Sequence, residues 1–207
     1  MKRNIISAFL AMVVFTIVLG IVYPLVVTGI SQVAFGSNAD GNPDLIAKAW
    51  TKPVLDANGQ QKKDADGNEV TAPDPRYFQP RPSQTGYDPS VTFFSNLGPN
   101  SKDERDEVKA NLAAYLKLNQ RYDPGLTTAD VPVDAITQSG SGVDPHISQA
   151  NAEIQAHRIA AVRHLALTQV TSLISDNTDG RFLGLFGEPG VNVLELNLAL
   201  DKEAPAG

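Results

Sequence analysis

No charge falls from Ile5 to Val27, twenty-three predominantly apolar residues that begin just after Met1-Lys2-Arg3-Asn4. At about 1.5 Å per residue such a helix reaches roughly 34 Å, enough for a hydrocarbon core of about 30 Å. The pattern predicts a single transmembrane helix. Farther on the apolar period changes. Val108, Leu112, Tyr115 and Leu116 share one helical face behind a Ser101-Lys-Asp-Glu104 capping box, which predicts a helix over about 102–118. Another helix is expected after Ser148 to about Leu165, on a weakly apolar face of Ala150, Ile154 and Ala161. A third, after Thr168, carries Val170, Leu173 and Ile174 and closes at Asn177 to Gly180. Val191 to Leu200 alternates like a strand and repeats like a helix; the cap signature Asn192 with Glu195 favours helix.

Lys2 and Arg3 before the apolar run, with no charge again until Asp40, place the N-terminus in the cytoplasm and the bulk of the chain outside. A cleavable signal peptide is the competing reading, since Ala34-Phe35-Gly36 has the small-any-small pattern of a cleavage site. The run is too long for an ordinary signal core of about 7–15 residues. Within it Thr16, Gly20, Pro24 and Thr28 recur at every fourth position, a small or notched face that would let a partner helix approach closely. Tyr23 suits the interfacial belt, and Pro24 is expected to loosen or kink the last turns.

Gly36 to Pro43 reads as a short linker. Asn58-Gly59 and Asp66-Gly67 predict small hairpins, because both pairs tolerate positive φ. Asp56, Asn58, Asp64 and Asp66 superficially suggest a calcium loop, but the glycines fall too early and no Glu closes either loop at the twelfth position. Arg76 to Pro89 is too proline-rich for a helix or central strand, yet holds Tyr77, Phe78 and Tyr87, which need packing. It reads as an ordered irregular loop or as a partner-binding surface.

Charge narrows the partners. All 23 acidic residues but only 15 of the 17 basic ones follow residue 35, a net charge of about −8, which disfavours nucleic acid and anionic lipid. The chain has no Cys, which excludes disulfides, thiolate metal sites and thiol catalysis. About 170 residues beyond the helix suffice for one domain.

Candidate chemistry is sparse. Ser139-Gly-Ser-Gly-Val-Asp-Pro-His146 alone gathers Ser, Asp and His, so a membrane-anchored external hydrolase would use Ser141 or Ser139 with His146. Ser141 lacks the flanking glycines of a nucleophile elbow, and triads are assembled in space rather than along eight residues. A turn rich in Ser, Gly and Asp is the plainer reading. His146, His157 and His164 show no zinc-ligand spacing, and no phosphate-binding glycine loop is present. A third class, a secreted solute-binding protein, would require cleavage after Gly36.

Six ordered motifs point elsewhere: Tyr77-Phe78-x-x-Arg81-Pro82-Ser83, Tyr87-x-Pro89, Ser95-Asn96-Leu97-Gly98-Pro99, Val131-Pro132-Val133-Asp134, the Ser139 to Ser148 segment, and Gly187-Glu-Pro-x-Val-Asn-Val-Leu running to Asp201. With the helix ending Tyr23-Pro24-Leu25-Val26-Val27-Thr28-Gly29, the series resembles the C subunit of the bacterial Kdp potassium-transporting ATPase over nearly the whole chain. It departs at Phe93-Phe94, where that family usually has Gly-Gly, at His157, where it usually has Pro, and over 40–72, which lacks a Gly-Ser-x-x-Ile-Gly-Gln strand.

The resemblance implies a non-catalytic accessory subunit of the inner membrane that binds no cofactor by itself. Its partners would be a channel-like potassium-translocating subunit, a P-type ATPase subunit and a small membrane subunit, with ATP and potassium handled by the complex. The family's C subunit is described as a catalytic chaperone that raises ATP affinity, and its external domain as standing by the potassium entrance. Lys2 and Arg3 leave only a few residues on the ATP side, so any effect on ATP should pass through the partners. The expected architecture is a transmembrane anchor over 1–35 and an external α/β (α+β) domain over 36–207. The candidate interface residues are Thr16, Gly20, Pro24 and Thr28 on the helix, and Arg81, Pro82, Ser83, Asn96, Ser139, Gly140, Ser141, Gly142, Asp144 and His146 in the loops.

Overall fold

The structure, a computed structural model, describes residues 2–39, 46–91, 93–181 and 184–205. It divides into two compact units, 1–45 and 46–207.

The first unit is helical throughout: α1 (Lys2–Ile17), one π-helical turn (Val18–Val22) and α2 (Tyr23–Ala39). Within Lys2–Ala34 an 18-residue window reaches a mean hydropathy of 2.9 with none of it buried, the composition of a single membrane-crossing helix. Pro24 cannot donate to the carbonyl four residues back. The ladder shifts register just ahead of it, and the Tyr23 amide donates to the Val18 carbonyl five residues away. This is the loosening expected of Pro24, displaced one turn toward the N-terminus. The linker expected over 36–43 is corrected: Gly36 to Ala39 continue α2, because a lone Gly weakens a helix without ending it. Residues 40–43 lie outside the described residues.

The second unit mixes helices with two small antiparallel sheets. β1 (Thr51–Pro53) pairs with β2 (Thr71–Pro73), and β5 (Gly190–Asn192) lies between β3 (His146–Ile147) and β4 (Thr178–Asp179). Between β1 and β2 the chain folds into twin hairpins turning at Gly59 (φ 77°) and Gly67 (φ 86°). In each, one carboxylate oxygen, of Asp56 or Asp64, accepts two backbone amides at 2.8–2.9 Å. These aspartates therefore serve their own turns, as the plain-turn reading expects.

α3 (Lys102–Asn119) starts at Ser101, whose hydroxyl accepts from the Glu104 amide, with Asp103 and Glu104 in its first turn. α4 (Gln149–Arg163) is capped by Ser148 and ends at His164 in the left-handed conformation. α5 (Leu167–Asp176) and α6 (Val193–Glu203) complete the domain, the latter capped by Asn192 accepting from Leu194 and Glu195. Helix thus wins over strand at the C-terminus. The core gathers Phe78, Ile147, Ala152, Ala156, Ile159, Val170, Ile174, Val191, Val193, Leu196 and Leu200. Each large side chain fully removed from water there contributes about 1.5–3 kcal/mol.

The face expected of α4 is corrected. Ala150 and Ala161 are exposed, while Asn151, Gln155 and Arg158 are buried beside Ala152, Ala156 and Ile159. An apolar period cannot find a face whose buried half is polar.

Candidate functional site

Those buried polar side chains hold the irregular segment that follows β2. Arg158 is 0% exposed and donates to the carbonyls of Pro75 (3.1 Å) and Tyr77 (2.8 Å), to Gln155 Oε1 (2.9 Å) and to Asn119 Oδ1. With no carboxylate among these acceptors, burial pulls its pKa down to about 10. Gln155 exchanges hydrogen bonds with both backbone groups of Gln79, and Asn197 does the same for Phe78. Tyr77 stacks on Trp50 at 4.5 Å and lies under the Arg163 guanidinium at 4.7 Å. Arg163 in turn donates to Asp201 at 2.8 Å. A proline-rich loop that can form no ladder is thereby given side-chain partners for its backbone.

The segment's far end meets the Ser139 to His146 loop, so most of the sequence-predicted loop residues come together. Ser83 Oγ donates to the Gly142 carbonyl at 2.6 Å and accepts the Tyr87 amide at 3.0 Å. The Pro82 carbonyl accepts the Ser139 amide at 3.3 Å. Arg81 donates to the Gln138 carbonyl at 2.9 Å and lies 3.7 Å from Asp144. Tyr87, at φ 66°, donates to the Arg81 carbonyl; burial pushes its phenol up to about 12. Gly142 sits at φ +74°, with Thr85 Oγ1 2.8 Å from where a Cβ would stand. Asn96, itself exposed, borders a shallow cleft of about 140 Å³ with Phe94, Ser139 and Gly140. Phe93 and Phe94 are exposed.

No triad geometry forms here. Ser139 Oγ accepts the Gly142 amide at 2.9 Å, and Ser141 Oγ accepts the Val143 amide at 3.2 Å. His146 turns to carboxylates instead, Nδ1 3.4 Å from Asp144 and Nε2 2.9 Å from Asp179. These contacts, Asp144 foremost, raise its pKa to about 9. A charged imidazolium has no lone pair with which to accept a serine proton. Among the described residues no group of three or more His, Asp or Glu could hold a metal ion.

On the helix, Thr16 turns its hydroxyl back to the Met12 carbonyl at 2.8 Å, and a Cβ on Gly20 would meet nothing within 4 Å. In a regular α-helix residues four apart drift by about 40°, so Thr16 and Thr28 would stand roughly 120° apart. A π turn rotates each residue less, and five such residues remove roughly 90° of that drift. The turn at Val18–Val22 therefore takes up much of the drift along the small-residue seam from Thr16 through Gly20 to Pro24, while Pro24 and Thr28 keep the α-helical offset.

This combination of one long apolar helix and a locked, loop-rich domain is matched as a whole. The profile described as "KdpC: K+-transporting ATPase, c chain" covers residues 5–202. The chain belongs to the KdpC family. A Potassium-transporting ATPase KdpC subunit of Mycobacterium bovis (strain BCG / Pasteur 1173P2) is 44% identical over 205 residues, 98% of this chain and 100% of the relative. The KdpC subunit of Koribacter versatilis (strain Ellin345) is 40% identical over 210 residues, 99% of this chain and 97% of its own. That of Caldanaerobacter subterraneus subsp. tengcongensis is 41% identical over 190 residues, 92% and 90% respectively. The buried polar lock is what sequence reasoning missed in this KdpC chain. Its signal was present in the Gln155-x-x-Arg158 spacing, where two long polar residues share a helix face with alanines.

Proposed function

We propose that this chain is a non-catalytic accessory subunit of an ATP-driven potassium importer, anchored by its single helix with the N-terminus cytoplasmic and residues after the helix on the outer side. The observation that carries the reading is the family match over residues 5–202 together with an apolar helix that has no buried residue in its own chain. A helix with that seam is built to pack against other membrane helices. Its partners would be the potassium-translocating subunit, the P-type ATPase subunit and a small membrane subunit. The loops around Arg81–Ser83, Asn96 and Ser139–His146 would meet the partners' outer face near the potassium entrance. Any rise in ATP affinity of the ATPase subunit is then transmitted through protein contacts, since in this orientation the domain after the helix lies on the side away from the nucleotide.

Gly20→Leu tests the seam. Open space around Gly20 lets the isolated helix accept the side chain, so only a closely approaching partner would object. Copurification of the partner subunits from membranes is expected to fall by about tenfold or more, equivalent to about 1.4 kcal/mol of association. Unchanged recovery of all partners at equal expression would refute the docking role.

A further inference from the structure

We propose that His146 is a proton-dependent clasp that ties the outer strands of the small sheet, β3 and β4, across a glycine of the strand between them. In the sheet His146 stands opposite Asn192 and Asp179 stands opposite Gly190, so these four residues share one face. The Asn192 side chain is turned away to cap α6. Gly190 has no side chain, and a Cβ there would come within 3.3 Å of His146 Cβ and 3.4 Å of its ring. The imidazole crosses the central strand through that gap and reaches Asp179 at 2.9 Å.

The charged groups facing the ring are Asp144, on its own loop with Arg81 3.7 Å behind it, and Asp179 on β4. The central strand contributes only uncharged Gly190, Val191 and Asn192, and the Arg181–Glu188 pair of the β4–β5 connection closes on itself at 3.0 Å. Only an imidazolium can donate from both nitrogens. On losing its proton the ring keeps one donor and turns a lone pair toward the other carboxylate. Asp144 is held in place by the His146 amide at 3.0 Å as well, whereas Asp179 is 69% exposed and free to swing away. Deprotonation therefore releases β4 first.

The direction in pH follows from the raised pKa. The clasp's contribution is fully present below the ordinary histidine value of 6.5, is lost progressively as pH climbs toward about 9, and is absent above.

The test uses the full-length chain in detergent micelles, with ring-proton NMR from pH 5.5 to 10.5 and His146 assigned by the resonance missing in His146→Gln. His146 is expected to titrate near pH 9. Asp179→Asn should move that midpoint down by at least about 0.5 pH unit. Amides of β4 should exchange several-fold faster in His146→Gln than in the unaltered chain at pH 6, and equally fast at pH 10. A midpoint at the ordinary value, a midpoint indifferent to Asp179→Asn, or equal exchange at pH 6 overturns the clasp. Should His146→Gln fail to fold, Asp179→Asn carries both measurements, because its exposed carboxylate is not needed for the core.

Discussion

Gly142 shows how much one missing side chain decides. Its backbone at φ +74° and the approach of Thr85 Oγ1 to 2.8 Å from an added Cβ both forbid alanine. Gly142→Ala should cost about 1–3 kcal/mol, read as a lower urea midpoint at unchanged slope. Thr85→Ala in the same chain should return only the steric part, since the positive φ remains. The sequence suggested a tight turn here but not its tenant: the Ser-Gly-Ser-Gly composition marks backbone freedom, whereas Ser83 and Thr85 arrive from 57–59 residues away. The Ser-His proximity along the chain was misleading for the same reason. Each hydroxyl serves the amide two or three residues on, and the histidine faces two carboxylates, one of them 33 residues distant.

At the scale of elements, α4 carries the domain's most consequential departure from simple patterning. Arg158 serves four acceptors from a fully buried position, so Arg158→Met takes a donor from two carbonyls and two amide oxygens, of which only Gln155 Oε1 and the Tyr77 carbonyl keep another, from Gln79. A loss on the order of 3–5 kcal/mol is expected, seen as a strongly lowered thermal midpoint, with the loop at 75–79 the first to gain hydrogen exchange. Arg158→Lys should recover little of it, because a point charge cannot match a fork of donors. Elements whose signals are local were legible: the capped α3, the glycine turns of the twin hairpins, and α6 behind Asn192. The strands β3, β4 and β5 were not, since two or three residues hold no usable alternation, and the pairing of β3 with β5 joins segments more than 40 residues apart. The motif series identified the family without revealing why the loops hold their shape; the hydrogen bonds of Gln155, Arg158 and Asn197 supply that reason.

For the whole molecule, the two compact units make separable demands on the sequence. The helix needs length and apolar character and has no buried residue over 2–34, whereas the described core is drawn wholly from residues after 46. The first residue it buries is Ala47, whose amide donates to the Val143 carbonyl at 2.9 Å, followed by Trp50 stacked on Tyr77. A chain beginning at Ile46 should therefore fold alone, remain soluble through its net negative charge, and unfold in one cooperative transition within a few degrees of the full-length chain in detergent. A chain beginning at Asp56 is predicted to behave differently. It lacks β1, the Ala47 anchor and the Trp50 ring, so β2 loses its ladder partner and Tyr77 is uncovered on one face. Its midpoint should fall by about 10 °C or more, on the scale of roughly 2–4 °C per kcal/mol for a domain of this size. Equal midpoints for the two truncations would show that β1, Ala47 and Trp50 add nothing to the domain's stability, and a chain from Ile46 that fails to fold would make the membrane helix part of it.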